Sequence, residues 1–315
     1  MAATSSAFAL VTHGGGTHTC AAAVLGLLLR ELSPSTPAIA VVFNATAAMR
    51  NILSAVGLHV HDAGRFRSER YRVPGRPGWA PRVLPTGQKD ALWALPYERV
   101  LYWDSDHIPL PSSRARRRVH ALWRLLDDEH ALAAAPNAAQ HVATKCFNSG
   151  LMLLRPSEAA RRALARAHDR RVIAWNLKCR HGWFAADQPF LNFVFQNWTT
   201  LGEDAWRVRT SADLPPDACA AATADALAAE ADSFHFFHSH APWRPGCRDC
   251  TRAGRACAGT SPRPRGADRC AAAAAAAAAW WDAFGRLPAE ARGWCEARLA
   301  EAAGVGGGAS ACVNS

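Results

Sequence analysis

The sequence predicts an α/β protein, a Rossmann-like mixed sheet, mainly parallel and flanked by helices, on three observations. Short apolar or β-branched runs alternate with stretches of helical spacing through the first third of the chain, the pattern that builds parallel strands with helices on both faces. At 315 residues the chain is long enough for one large core, so a single domain carrying insertions is expected. One apolar run, ERVLYW (98–103), breaks off at two carboxylates one residue apart, Asp104 and Asp106. Ligands of such sheets bind outside the carboxyl ends of the strands.

Each element follows from its local pattern. AFALVT (7–12) reads as a core strand, and Thr17–Leu32 as a helix with Thr17 or Thr19 as its N-cap. AIAVVF (38–43) is a second strand, 45–56 a second helix, and LHVHDA (58–63) a third strand. A loop rich in Arg, Pro and Gly spans roughly 64–85, and QKDALWAL (88–95) is a helix leading into ERVLYW. The second half is less regular. CFNSGLMLLRPSEA (146–159) gives a turn, a strand and the start of a helix. ADQPFLNFVFQNW (186–198) is an apolar-faced helix with an acidic start, and SFHFFH (233–238) a strand ending in histidines. A Cys, Arg and Pro-rich insertion occupies about 244–269, the alanine run 271–279 continues as a helix into Trp280 and Trp281, and 301–315 reads as a disordered tail. The expected layout is one domain over 1–300, with a nucleotide-binding half at about 5–110 and an acceptor and sugar half at about 111–300.

Composition narrows the function classes. The excess of 36 basic over 26 acidic residues, +10, favours an anionic partner: nucleotide phosphates, nucleic acid or an acidic surface. Nucleic-acid binding predicts exposed aromatics interleaved with Lys and Arg, whereas most of the twelve tryptophans sit in apolar helices and strands, so no nucleic-acid partner is expected. The densest basic cluster, Arg114, Arg116, Arg117 and Arg118, reads as a solvated helix face. No run reaches the roughly 18 apolar residues of a membrane span, and the start MAATSS lacks the basic residues of a signal peptide. The expectation is a cytoplasmic protein, with the Golgi lumen the alternative for a chain that has lost an anchor. A homo-dimer is left open. Among ten cysteines, Cys247, Cys250, Cys257 and Cys270 are spaced for a zinc knuckle, for disulfides or for free thiols.

Three chemistries suit Asp104-Ser105-Asp106. An aspartate can cap the following turn, paired acids can serve a metal-dependent phosphodiesterase or nuclease, or they can hold a divalent cation on the diphosphate of a nucleotide sugar. Hard oxygen ligands suit Mn2+, with Mg2+ as the alternative. The glycines Gly14, Gly15 and Gly16 suggest a dinucleotide loop, but position 19 is threonine and the motif is incomplete.

The neighbours of the acid pair choose among these. KDALWALPYERVLYWDSD resembles the glycogenin-like members of glycosyltransferase family eight in its spacing from Lys89 to Trp93 to Asp104 and Asp106. AFALVTHGG, CFNSGLMLLRPS, ADQPFLN and HFFHSHAPW are similar to four further segments of that family, in the same order, over roughly 7–245. The resemblance implies a GT-A fold and a metal-dependent retaining hexosyltransferase that moves a sugar from a UDP-sugar donor to a carbohydrate or other hydroxyl acceptor. The alternatives are a metal-dependent phosphodiesterase and a nucleotide-sugar-binding protein without turnover. It implies that Asp104 and Asp106 ligate the metal with a histidine, His235 by its place seven residues before Pro242, with His238 as competitor. Lys89 would contact sugar or phosphate; Val11, Thr12, His13 and Gly14 would hold uracil and ribose; Ser105, Asn148 and Ser149 would face the donor. Asp187 and Gln188 would lie beside the anomeric carbon, where their charge and dipole favour an oxocarbenium-like transition state. The plainer role of Asn148 and Ser149 is a tight turn, and that of Asp187 a helix N-cap. The chain departs from the family at Ala241, where a lysine is usual, and at His13 and Gly14. Its tyrosines, Tyr71, Tyr97 and Tyr102, lie outside the region that carries a self-glucosylation acceptor, so a separate acceptor is expected.

Overall fold

Strand β1 (Ser6–His13) is buried from Ala7 through Thr12 because it has a parallel strand on each side, β2 (Ala38–Phe43) and β6 (Arg99–Trp103), and helices over both faces. It is an interior strand of the sheet. The computed structural model describes residues 6–65, 69–71, 82–84, 88–110, 112–126, 130–136, 146–169, 187–202, 204–210, 229, 231–236, 241–243 and 270–305. With β3 (His59–Asp62), β8 (Leu132–Pro136), β9 (Phe147–Leu154) and β10 (Thr199–Thr200), the seven strands run in the order β10-β8-β9-β6-β1-β2-β3. Four of the six pairings are parallel; the two antiparallel ones both involve β9. The predicted mixed, mainly parallel sheet is therefore observed.

Alternation along β1 divides the core. Phe8 and Leu10 pack with helices α1 (Thr17–Leu32) and α2 (Ala47–Ala55), while Ala7, Ala9 and Val11 face a second cluster containing Leu92, Trp93, Leu164 and Leu191. Leu164 belongs to α4 (Glu158–Asp169) and Leu191 to α5 (Asp187–Val194). The C-terminal pair α6 (Cys270–Gly285) and α7 (Ala289–Val305) covers α1, and a disulfide between Cys20 and Cys295, with Cα atoms 5.5 Å apart, fastens α7 to the first turns of α1.

Several expectations need correction. Helix α1 begins behind Gly16, not behind a threonine cap; the Thr19 hydroxyl instead donates to the Gly14 carbonyl at 3.1 Å. Thr46 caps α2, its Oγ1 accepting from Met49 N at 3.2 Å. The segment after Gln88 is a short 3-10 helix, Lys89–Ala94, whose tighter winding turns both Leu92 and Trp93 inward. Within the stretch read as a loop, β4 (Glu69–Tyr71) and β5 (Arg82–Leu84) form an antiparallel ribbon. Helix α7 runs to Val305, five residues into the segment expected as a tail. The insertion 244–269, with Cys247, Cys250 and Cys257, and residues 306–315 lie outside the described residues.

The expected strand at SFHFFH is present as β12 (Ser233–His235), and with two strands that the sequence does not announce, β7 (His107–Pro109) and β11 (Val208–Thr210), it forms a second sheet in the order β11-β12-β7. They are anchored by Asp232. Its fully buried carboxylate accepts from Arg114 Nε and Arg118 Nη1, each at 2.9 Å, and from Arg207 N at 2.8 Å. Arg114 and Arg118 lie on α3 (Ser113–Leu122), so half of the arginine cluster is committed to a buried ion pair and is not merely a solvated face.

Candidate active site

The reversal of β9 assembles the site. Because β9 runs antiparallel to β6, its first residues lie beside the carboxyl end of β6, and Asp104 N donates to the Gly150 carbonyl at 2.8 Å. Helix α5 meets the same place with its N-terminus, bringing Asp187 and Gln188 against Ser149. Strand β7 follows directly on Asp106, and its antiparallel pairing with β12 sets His235 opposite His107.

Lys89 occupies the centre of this convergence. Its Nζ donates to Asp104 Oδ2 at 2.9 Å, to the Ser149 carbonyl at 3.0 Å and Oγ at 3.1 Å, and forms an ion pair with Asp187 Oδ2. Ser149 Oγ donates to Asp187 Oδ2 at 3.1 Å, and its backbone N–H is received by Gln188 Oε1 at 3.1 Å. The other oxygen of Asp104, Oδ1, accepts from the hydroxyl of Tyr102. Across the strand end, Asp106 Oδ1 and His235 Nε2 are 3.4 Å apart. Asn148 braces the turn itself, its Oδ1 accepting from Gly150 N at 2.7 Å.

Burial sets the electrostatics. It opposes the charge of Lys89, yet Asp104 and Asp187 hold the ammonium above its ordinary pKa. Burial and the neighbouring carboxylates Asp106 and Asp187 push Asp104 up against the pull of Lys89. For Asp187 burial also pushes upward, but the lysine and the Ser149 hydroxyl outweigh it and hold the carboxyl below the usual range. Burial and then Asp104 push the Tyr102 phenol well up, so it stays protonated and donates. For His235 burial lowers the pKa but Asp106 raises it by more; for His107, burial and then His235 push it well below the ordinary value. Lys89 is thus shared by two carboxylates, Asp104 and Asp187, while Asp106 has His235 beside it, and acidic groups outnumber basic ones at the strand ends.

A cleft of about 190 Å³ opens at these strand ends. Of the predicted residues, Val11, Thr12, His13, Lys89, Asp104, Ser105, Asp106 and Asp187 line it, together with His18, Gln88, Tyr102, Ala241 and Trp243. Ser149 and Gln188 stand behind this lining and support it through hydrogen bonds, and Gly14 turns the chain with a left-handed φ of 57° that favours glycine. His235 is reached through Asp106. His238 lies outside the described residues, as do His240 and Arg244. Three buried polar atoms of lining residues, Thr12 Oγ1, Gln88 Nε2 and Trp243 Nε1, have no hydrogen-bond partner among the described residues, which suits a cleft that takes a polar ligand.

Two residues here escaped the sequence reading. Tyr102 precedes Asp104 by two, so strand periodicity puts both on one side, a signal that was there to be used. Gly150 is required by space: a Cβ there would lie 2.9 Å from Asn148 Oδ1, 2.9 Å from His235 Cε1 and 3.2 Å from His235 Nε2. The glycine of the Asn-Ser-Gly segment is what lets the imidazole close over the strand end.

Among the described residues, no three His, Cys, Asp or Glu side chains stand converged as a metal cluster. Asp106 and His235 face each other, while Asp104 is turned toward Lys89 and Tyr102. The donor types, two carboxylates and an imidazole beside a deficit of positive charge, nonetheless fit a hard divalent cation.

No family model and no curated protein sequence matches the chain. Solved structures do. The galactosyltransferase LgtC, in complex with donor and acceptor sugar analogs, superposes with a TM-score of 0.58 at 15% identity, covering 91% of this chain and 99% of LgtC. An active-site mutant of LgtC superposes at 0.59 with 14% identity over the same shares. The glycosyltransferase GlyE of Streptococcus pneumoniae TIGR4 gives 0.51 at 15% identity; 94% of this chain is covered, but it spans only 63% of the length of GlyE. Among the described residues no helix is long and apolar enough to cross a membrane. With its mainly parallel seven-stranded sheet and a cleft at the strand ends, this chain has the GT-A glycosyltransferase fold.

Proposed function

We propose that this protein is a metal-dependent retaining hexosyltransferase that uses a UDP-sugar donor and a separate hydroxyl acceptor. The observation that carries the reading is the charge arrangement at the strand ends: Lys89 joined to Asp104, Asp187 and Ser149, with Asp106 and His235 alongside, in one cleft with Val11, Thr12 and His13. A phosphodiesterase would use the acid pair but gives no role to Asp187 or to the β1 end of the cleft. The presence of Ala241 in the cleft wall favours a weaker grip on the diphosphate, so nucleotide-sugar binding without turnover is the second reading.

In this mechanism the β1 end, Val11, Thr12 and His13, receives the nucleoside. Asp104, Asp106 and His235 would hold Mn2+ or Mg2+, which when bound supplies charge neutralisation to a leaving diphosphate. Lys89 places a fixed positive charge beside that group. Asp187, kept ionised by Lys89 and oriented by Ser149, presents its negative charge to a sugar ring as positive charge develops at the anomeric carbon. Gln188 fixes the position of Ser149 through its backbone N–H. The Cys20–Cys295 disulfide supports an oxidising compartment over the cytoplasmic one expected from sequence.

The test is a thermal-shift screen of UDP-sugars with and without Mn2+, followed by assay of UDP release. A UDP-sugar at about 100 times its Kd should add about 2.7 kcal/mol of stability, and less without the metal. Asp106→Ala should remain folded and lose metal-dependent release; undiminished release by that variant would overturn the metal reading.

A further inference from the structure

We propose that His107 is a positioning residue for the metal-ligating imidazole of His235, acting through a stacked pair of rings. The two imidazoles lie nearly parallel, centroids 5.0 Å apart at an interplanar angle of 5°, as the direct cross-strand partners of β7 and β12. His107 is only 1% exposed and cannot itself reach a ligand in the cleft. A hydrogen bond and a second aromatic ring hold it in place. Nε2 shares a hydrogen bond of 2.8 Å with Ser233 Oγ, which also receives Trp206 Nε1 at 2.9 Å. The Trp103 ring meets His107 edge-on at 5.1 Å. His235 is therefore confined between an anchored ring and the bare Cα of Gly150, where a single methyl group would collide with it at 2.9 Å. The freedom left to His235 keeps Nε2 directed at Asp106, 3.4 Å away. Groups that orient a metal ligand without touching the ion typically change metal affinity about 10- to 100-fold when removed.

This role rests on the metal reading above, and the experiment separates the two. Mn2+ affinity of the full chain is measured from the EPR signal of the free aquo ion in wild type, His107→Gln, His107→Phe, His235→Ala and the double variant His107→Gln/His235→Ala. Glutamine keeps a polar atom for Ser233 but removes the ring face, whereas phenylalanine keeps the face and gives up the hydrogen bond. The expected result is a loss of about 10-fold in His107→Gln, recovery of most of it in His107→Phe, and no further loss from His107→Gln once His235 is alanine. Wild-type affinity in His107→Gln overturns the proposal, as does equal loss in the glutamine and phenylalanine variants or an undiminished loss in the His235→Ala background. Absence of Mn2+ binding by folded wild type at millimolar metal overturns the metal reading itself.

Discussion

Replacing Lys89 by methionine keeps the length of the side chain and deletes its charge. The side chain is 9% exposed and is bound to two carboxylates whose own exposures are 31% and 23%, so solvent screens the pairs only partly. Breaking a buried pair by removing one partner costs about 3 to 5 kcal/mol because it strands the other charge. Here two charges are stranded, although Tyr102 and Ser149 still donate to them, which places the expected loss within that range rather than above it. Denaturant unfolding of metal-free protein at neutral pH reads this as a lower midpoint with an unchanged slope. The pH dependence has a definite sign. Asp187 titrates below its ordinary value in the folded protein, so the stability it contributes is present above the unfolded pKa near 3.8 and is lost as pH falls through the folded one. The gap between wild type and Lys89→Met should therefore narrow in acid. A variant that unfolds within about 0.5 kcal/mol of wild type, or a gap independent of pH, would refute the idea that this lysine is the internal counter-ion of the site.

Two further outcomes follow from features outside the cleft. Asp232→Ala should lower stability by about 3 to 5 kcal/mol in the same unfolding assay, since it leaves Arg114 and Arg118 without their carboxylate, and Asp232→Asn should recover only part of this. The pair Cys20→Ser and Cys295→Ser should cost about 3 to 5 kcal/mol in the same unfolding assay without reductant, and a variant within about 0.5 kcal/mol of wild type would refute a stabilising role for this cross-link.

The fold was legible where a long periodic pattern made it so. The alternation of strands and helices up to Trp103 placed Asp104 and Asp106 at a strand end, the resemblance of three further segments implied Lys89, Ser149 and Asp187 beside them, and the structure brings these five together. Of the second sheet only β12 was legible, from SFHFFH; β7 and β11 have three residues each and no period to read, and Asp232, beside β12, finds its arginine partners more than a hundred residues away in α3. Arg114 and Arg118 could not be told from solvated arginines for the same reason. The helix cap failed because Gly16 and the two threonines offer competing starts, and only the inward hydrogen bond of Thr19 to Gly14 decides between them. Asn148 braces its own turn through Oδ1, the plainer role that residue type alone had also allowed. His107 carried no signal, since one histidine after an acid pair gains meaning only from the strand that lies opposite.

The bond between Cys20 and Cys295 closes across 275 residues, joining the first helix of the chain to its last. Helix α1 leads out of the glycine loop that follows His13 at the cleft, and Trp294, next to the bonded cysteine, stands 3.9 Å from where a Cβ on Gly15 would be. During synthesis that loop is made well before α7, which supports it. The final shape of the loop is thereby tied to the later synthesis of α7 and to the oxidant present when the bond closes.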